Sequence, residues 1–340
     1  MIYHSFFVRL SFVFFLMACG SNSQEDTVAK INIPDFDPPG GPCVDLRPYE
    51  ECKALSEENE GIVKFWNSFH SNDLENLDKT IKEMEAEFDK YPANGDLAKY
   101  LGFANTWYFA EFQRRGVEID STFLNAISNM RKFFQASIDI NGDIRSQSFL
   151  YANNFALAKL DEDEQTALAN AKKLDELMVI WPEWANFAGL GPYGLYPENT
   201  KEFSRSLDLI WEEVELCIGE RIDRKNPMPQ LKKFKDEKRT GRSRVCSSSW
   251  IAPHSFEGFF LTLGDLLVKN NDFGVAKNIY EHAKTAENYQ KWDQKFKDIL
   301  SDRIARMEHH RDNFRKPMIE QEEPKFAPVM EYGCTVCHQK

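Results

Sequence analysis

The chain has no surplus of basic residues: 54 Asp and Glu outnumber 42 Lys and Arg, for a formal net charge of -12. Phosphate binding relies on Lys and Arg gathered along one face, so this balance excludes nucleic acid as an expected partner. Mean hydropathy is negative, which excludes a body made of many membrane spans. No stretch of alternating β-branched residues appears, so neither a β-rich fold nor a thioredoxin-like βαβ setting is expected. No pattern identifies a general acid beside a substrate pocket, and the expectation is a carrier or scaffold more than an enzyme. What is present suffices for a large core, with 42% hydrophobic and 13% aromatic residues. At 340 residues the chain exceeds the usual single domain, but a helical array can run this long without an internal boundary.

The N-terminus has a short positive region ending at Arg9, an apolar run from Leu10 to Phe15, then Leu16-Met17-Ala18-Cys19. The run is too short to span a bilayer and reads as a secretory signal. Leu-x-Ala-Cys resembles the lipobox of bacterial lipoproteins. That resemblance implies cleavage after residue 18, acylation of Cys19 and, because Gly20 follows it, release to the outer membrane facing the periplasm. Acyl chains anchor firmly because each buried methylene contributes about 0.8 kcal/mol.

Seven cysteines are to be distributed. Setting aside Cys19 and the C-terminal pair leaves Cys43, Cys52, Cys217 and Cys246, an even set suited to disulfides in an oxidising compartment. Pairing Cys43 with Cys52 and Cys217 with Cys246 closes modest loops, and two other connectivities stay open.

Residues 21–42 are polar, then rich in Pro, Gly and Asp, as a tether would be. From residue 56 the spacing turns helical. Ile62, Phe65, Trp66 and Phe69 share one face, and Leu74, Leu77, Ile81, Met84 and Phe88 repeat it after the Ser71-Asn72-Asp73 break. Pro92 closes this hairpin, and further helices are predicted near 96–114, 121–138, 145–159 and 163–179. The fold class is all-α, with antiparallel helical hairpins stacked as an array. Phe260-x2-Leu263-Gly264-x2-Leu267 followed by Ala276-x3-Tyr280 and Ala283 pairs large residues with the small Gly264 and Ala276, which let two helices approach. This unit resembles a tetratricopeptide repeat, with Phe260, Leu267 and Asn288 departing from the family's Trp, Tyr and Pro. The resemblance implies a scaffold that holds partner proteins on a concave face.

Three stretches interrupt the pattern. Residues 181–199, with Trp184, Phe187, Tyr193 and Tyr196 among Gly and Pro, read as an aromatic loop ending at a helix cap formed by Asn199 with Glu202. Lys232, Lys233, Lys235, Lys238, Arg239, Arg242 and Arg244 form a basic run that reads as a solvated loop, or as a dock for an acidic redox partner or lipid headgroups. Pro317, Pro324 and Pro328 mark an extended arm.

The arm leads to Cys334-Thr335-Val336-Cys337-His338. Covalent c-type haem attachment needs two thiols that add to the porphyrin vinyl groups and an adjacent imidazole that reaches the iron, and this motif supplies all three. Its chance occurrence in such a chain is on the order of a few in a thousand. A zinc site would need a second ligand pair, and no other Cys-x-x-Cys or His-x-x-x-His occurs. Attachment this far along the chain resembles the class II cytochromes, a similarity confined to the motif and its helical context. One covalent haem c is therefore expected on Cys334 and Cys337, with His338 as the proximal iron ligand. Distal candidates are His309, His310 and Met318, with His254, His282 and Met330 behind them.

The organisation expected is a signal peptide over 1–18, a tether with a small disulfide loop over 19–52, a helical domain over 53–315 and the haem-bearing arm over 316–340. The expected role is electron transfer in the cell envelope, with a redox protein as partner and the bilayer reached through Cys19. The alternative is a scaffold lipoprotein that binds other envelope proteins through the array.

Overall fold

The computed structural model describes residues 59–70, 73–114, 121–161, 163–232, 256–285, 289–291, 294–317, 320–322 and 324–326. These residues contain thirteen α-helices and no strand, so the chain is all-α, built from helices packed in adjacent pairs.

The first helices follow the apolar spacing. Helix α1 (Glu60–His70) buries Ile62, Phe65, Trp66 and Phe69, and α2 (Leu77–Lys90) turns Leu77, Ile81 and Met84 toward it. Helices α3 (Gly95–Arg114), α4 (Ser121–Asn141), α5 (Ile144–Leu160) and α6 (Glu164–Ile180) lie close to the predicted spans. Local chemistry sets their starts. The Asp143 carboxylate accepts from the Ser146 amide at 2.8 Å to begin α5, and Asp163 accepts from Thr166 at 3.0 Å to begin α6.

The predicted aromatic loop at 181–199 is instead mostly helix: α7 spans Pro182–Gly194. Pro182 sits in the first turn, where a missing N–H costs nothing, and Pro192 falls in the last. Gly189 is a contact surface and not a breaker, because an added Cβ would collide with the Met178 side chain. Trp181 and Trp184 stack at 5.9 Å and are fully buried. The stretch packs into the core as helix, and the expected loop is not there. The cap of the next helix, α8 (Lys201–Ile218), is Thr200 in place of Asn199, with its hydroxyl accepting from the Phe203 amide at 3.2 Å.

After a short α9 (Met228–Leu231) come α10 (Phe256–Lys269), α11 (Phe273–Ala283), α12 (Gln294–Ala305) and α13 (Met307–Phe314). Helices α10 and α11 form the repeat-like pair. The Tyr280 ring lies directly on Gly264, leaving no room for a Cβ there. The same device recurs in α3 and α4, where the Phe134 ring rests on Gly102. A chain of rings runs from α1 to α7 through Phe65–Tyr100 at 5.3 Å, Phe103–Phe149 at 5.1 Å and Phe149–Trp184 at 5.7 Å. Each such pair adds about 0.5–1.5 kcal/mol beyond the area it buries. No helix among the described residues is long and apolar enough to cross a membrane.

Gly264→Ala is expected to destabilise the fold by about 1–3 kcal/mol through overpacking against Tyr280. Gly274→Ala, where a Cβ meets nothing within 4 Å, is expected to be neutral or stabilising by up to about 1 kcal/mol. Urea denaturation followed by circular dichroism measures both.

Candidate functional site

Where the chain leaves the helical body for the Cys334 motif, a buried polar cluster holds it down. An Asp in the apolar run of α10 must find a partner or be expelled, and Asp265 finds two. The Tyr280 hydroxyl donates to its Oδ1 at 2.6 Å. Arg303 of α12 grips it side-on, Nε to Oδ1 at 2.9 Å and Nη2 to Oδ2 at 3.1 Å. Neither side chain of this pair has any exposed surface.

The remaining guanidinium protons point at other segments. Nη1 donates to His310 Nδ1 at 3.2 Å and to the Pro324 carbonyl at 3.0 Å, and Nη2 donates to the Lys325 carbonyl at 2.5 Å. All five N–H donors are thereby used. The Phe314 ring lies 4.6 Å from the guanidinium carbon and 5.2 Å from the Phe326 ring. Because an arginine cannot accept a hydrogen bond, His310 Nδ1 must be the acceptor, so the imidazole is neutral with its proton on Nε2. That proton goes to Asp302 Oδ2 at 2.8 Å, on a carboxylate also clasped by Arg306. Burial and the Arg303 charge together hold the His310 pKa below the ordinary value, with Asp265 and Asp302 opposing them.

The described start of the arm turns at Pro317, whose carbonyl accepts from the Glu320 amide at 2.8 Å, and residues 320–322 and 324–326 are docked on the helices. Asn313 and Glu322 exchange side-chain and backbone bonds at 2.8 Å each, and the Phe326 amide donates to Gln321 Oε1 at 3.0 Å. Phe326 is fully buried beneath the Lys269 ammonium, which lies 4.8 Å from its ring and donates to the Gly194 carbonyl at 2.9 Å. Burial pulls the Lys269 pKa down to about 8.

The expected site residues fall out as follows. Cys19, Cys43, Cys52, Cys246, Cys334, Cys337, His338 and Met318 lie outside the described residues, as do His254, Met330 and most of the basic run. Cys217 is buried and disulfide-bonded, and its partner also lies outside the described residues. His310 is 1% exposed with both ring nitrogens engaged, so it offers nothing to an iron unless the cluster opens. His309 is 42% exposed, with its Nε2 3.7 Å from Glu322. His282 packs edge-on against Phe260 at 4.9 Å, and burial lowers its pKa. No group of three metal-ligating side chains occurs among the described residues. Sequence reasoning missed Arg303 and Asp265 and took Tyr280 for its packing alone, and the signal that could have found the cluster was the lone carboxylate in Leu263-Gly264-Asp265-Leu266.

The fold defines the chain as an all-α helical array. Compared with protein-family models, curated proteins and solved structures, it finds no match.

Two outcomes test the cluster. The carbonyl that a lysine-specific protease attacks after Lys325 is the one held by Arg303, so limited trypsin digestion reports docking directly. Arg303→Met leaves Asp265 buried without its cation and is expected to cost about 3–5 kcal/mol, with cleavage after Lys325 at least about tenfold faster. The second outcome is pH dependence. An unfolded histidine titrates near 6.5, and the folded His310 pKa is depressed, so its contribution to stability is complete above that value and is lost as pH falls below it. Urea midpoints are expected to fall between pH about 7.5 and about 5.5 in the native chain and to fall less in His310→Gln.

Proposed function

We propose that this chain is an envelope lipoprotein, acylated on Cys19 and held at the outer membrane facing the periplasm, that carries one covalent haem c for electron transfer. The observation that carries the reading is Cys334-Thr335-Val336-Cys337-His338 in a chain that opens with an export signal. Cys334 and Cys337 would hold the porphyrin and His338 the iron, and the group supplies a one-electron couple when bound.

The docked arm bears on how such a group would be positioned. Cys334 is eight positions beyond the buried Phe326. At about 3.5 Å per residue this stretch spans at most about 28 Å, the reach within which the motif could find a ligand on the described helices. Within that reach His309 has an accessible imidazole, and His310 has none to spare. His309 is therefore the favoured distal ligand among the described candidates.

The test is a pyridine haemochrome assay on protein matured in cells able to attach haem. A haem signal that disappears in Cys334→Ser with Cys337→Ser is expected, and its absence from the native chain rejects the reading. His309→Ala is expected to convert a low-spin optical spectrum to a high-spin one, and an unchanged spectrum removes His309 as ligand. One observation favours the scaffold alternative: Leu168 and Val179, three helical turns apart on one face of α6, are both exposed. That alternative gains if the cysteine substitutions leave the cellular phenotype intact while Leu168→Glu with Val179→Glu abolishes it.

A further inference from the structure

Helices α3, α4 and α5 each bury a polar side-chain atom that has no hydrogen-bond partner among the described residues. Arg145 on α5 has no exposed surface; its Nε and Nη2 donate to Asp143 Oδ2 at 3.3 and 3.0 Å, and its Nη1 is the unpartnered atom. The Tyr100 hydroxyl on α3 and the Ser137 hydroxyl on α4 are the other two, on residues 1% and 0% exposed. Several contacts gather these three side chains in one place. Tyr100 stands with Asp143 and Asp96 among the groups acting electrostatically on Arg145. Lys99 Nζ lies 4.9 Å from the Tyr100 ring and 3.7 Å from the same Asp143 Oδ2 that Arg145 holds. The register of the antiparallel α3 and α4 is set by Gly102 under the Phe134 ring and by Gly95 against the Asn141 amide, which puts Ser137 level with Lys99.

Each of these atoms loses its hydrogen bonds to bulk water on folding, and a guanidinium N–H loses most because it carries charge. The group that would satisfy them is defined by their chemistry. Arg145 can only donate, whereas both hydroxyls donate and accept, so that group must accept at least one proton and be able to give one. Charge narrows it further. The two cations Lys99 and Arg145 are already matched by the two carboxylates of Asp96 and Asp143. An anion would add unbalanced negative charge beside Asp143, and a cation would face the guanidinium. A small neutral molecule that accepts and donates, held by about three polar partners, is what a buried water is. We propose that one buried water molecule bridges Arg145 Nη1, the Tyr100 hydroxyl and the Ser137 hydroxyl, joining α3, α4 and α5 at the turn where α5 begins. It accepts from the guanidinium and from the tyrosine and donates to the serine oxygen. The buried guanidinium of this region is then completed by solvent, as that of Arg303 is completed by the carbonyls of the arm.

This inference is independent of the haem reading and is tested on the full mature chain. Crystals soaked in bromide are expected to show a water oxygen within about 3.2 Å of all three atoms and no anomalous signal at that position. Empty density there, or a bromide peak, overturns the proposal, the second by making the site an anion site. Stability supplies a readout that differs in sign. Tyr100→Phe takes away one partner of the water and is expected to lower the urea midpoint with the slope unchanged. A hydroxyl with no water to bind would be a buried unpaired group whose removal raises the midpoint, so a midpoint that rises or stays the same also overturns the proposal. Should Tyr100→Phe not fold, the density in the native chain decides on its own.

Discussion

A guanidinium with no exposed surface is tolerated in a protein interior only while each of its donors is met, and Arg303 depends on three other segments for that. Asp265 comes from α10, His310 from α13, and the Pro324 and Lys325 carbonyls from the arm. Removing any one leaves a buried N–H unpaired, a penalty of about 1–3 kcal/mol. The partners must therefore be present together, which ties the repeat-like pair, the last two helices and the start of the arm into one cooperative unit. Tyr280 extends the coupling, because the ring that closes on Gly264 also delivers a hydroxyl to Asp265. Close approach of α10 and α11 and satisfaction of the buried charge are thus one structural event.

The N-terminal part solves a similar problem less completely. Asp143 begins α5 and is buried between Arg145 and Lys99, and Lys99 also contacts Asp96. Burial alone would raise the Asp143 carboxyl, but Arg145, Lys99 and the Ser146 amide outweigh it and hold its pKa at about 2. Arg145, unlike Arg303, keeps one nitrogen without a partner, Nη1. Here the aromatic chain from Phe65 to Trp184 carries more of the organisation, and the ion pair mainly sets the turn between α4 and α5. Ordering by rings in one region and by hydrogen bonds in the other follows from composition. The early helices bury rings such as Phe65, Trp66, Tyr100, Phe103 and Trp107, whereas α12 and α13 bury Arg303, His310 and Asn313.

For function, the consequence is one of geometry. With the arm docked at Phe326, the chain length from that residue to Cys334 is at most about 28 Å. The same cluster makes that position sensitive to acid, since a protonated His310 would press a second positive charge on Arg303.

The helical class, most helix spans, the inward faces and the close approach at Gly264 were legible in the residue order, because each follows from spacing within one or two turns. It also contained the two terminal motifs and the even set of remaining cysteines, which are matters of order along the chain. Packing was needed to make 181–199 largely helical, since its Gly and Pro residues have the same spelling in a loop as in a helix packed against Met178 and Leu209. Likewise packing decided that His310 is spent on Arg303 and that the arm is docked. Those outcomes depend on partners up to tens of residues away, 38 for Asp265 and Arg303, and burial acquires a sign only when such a partner is in place.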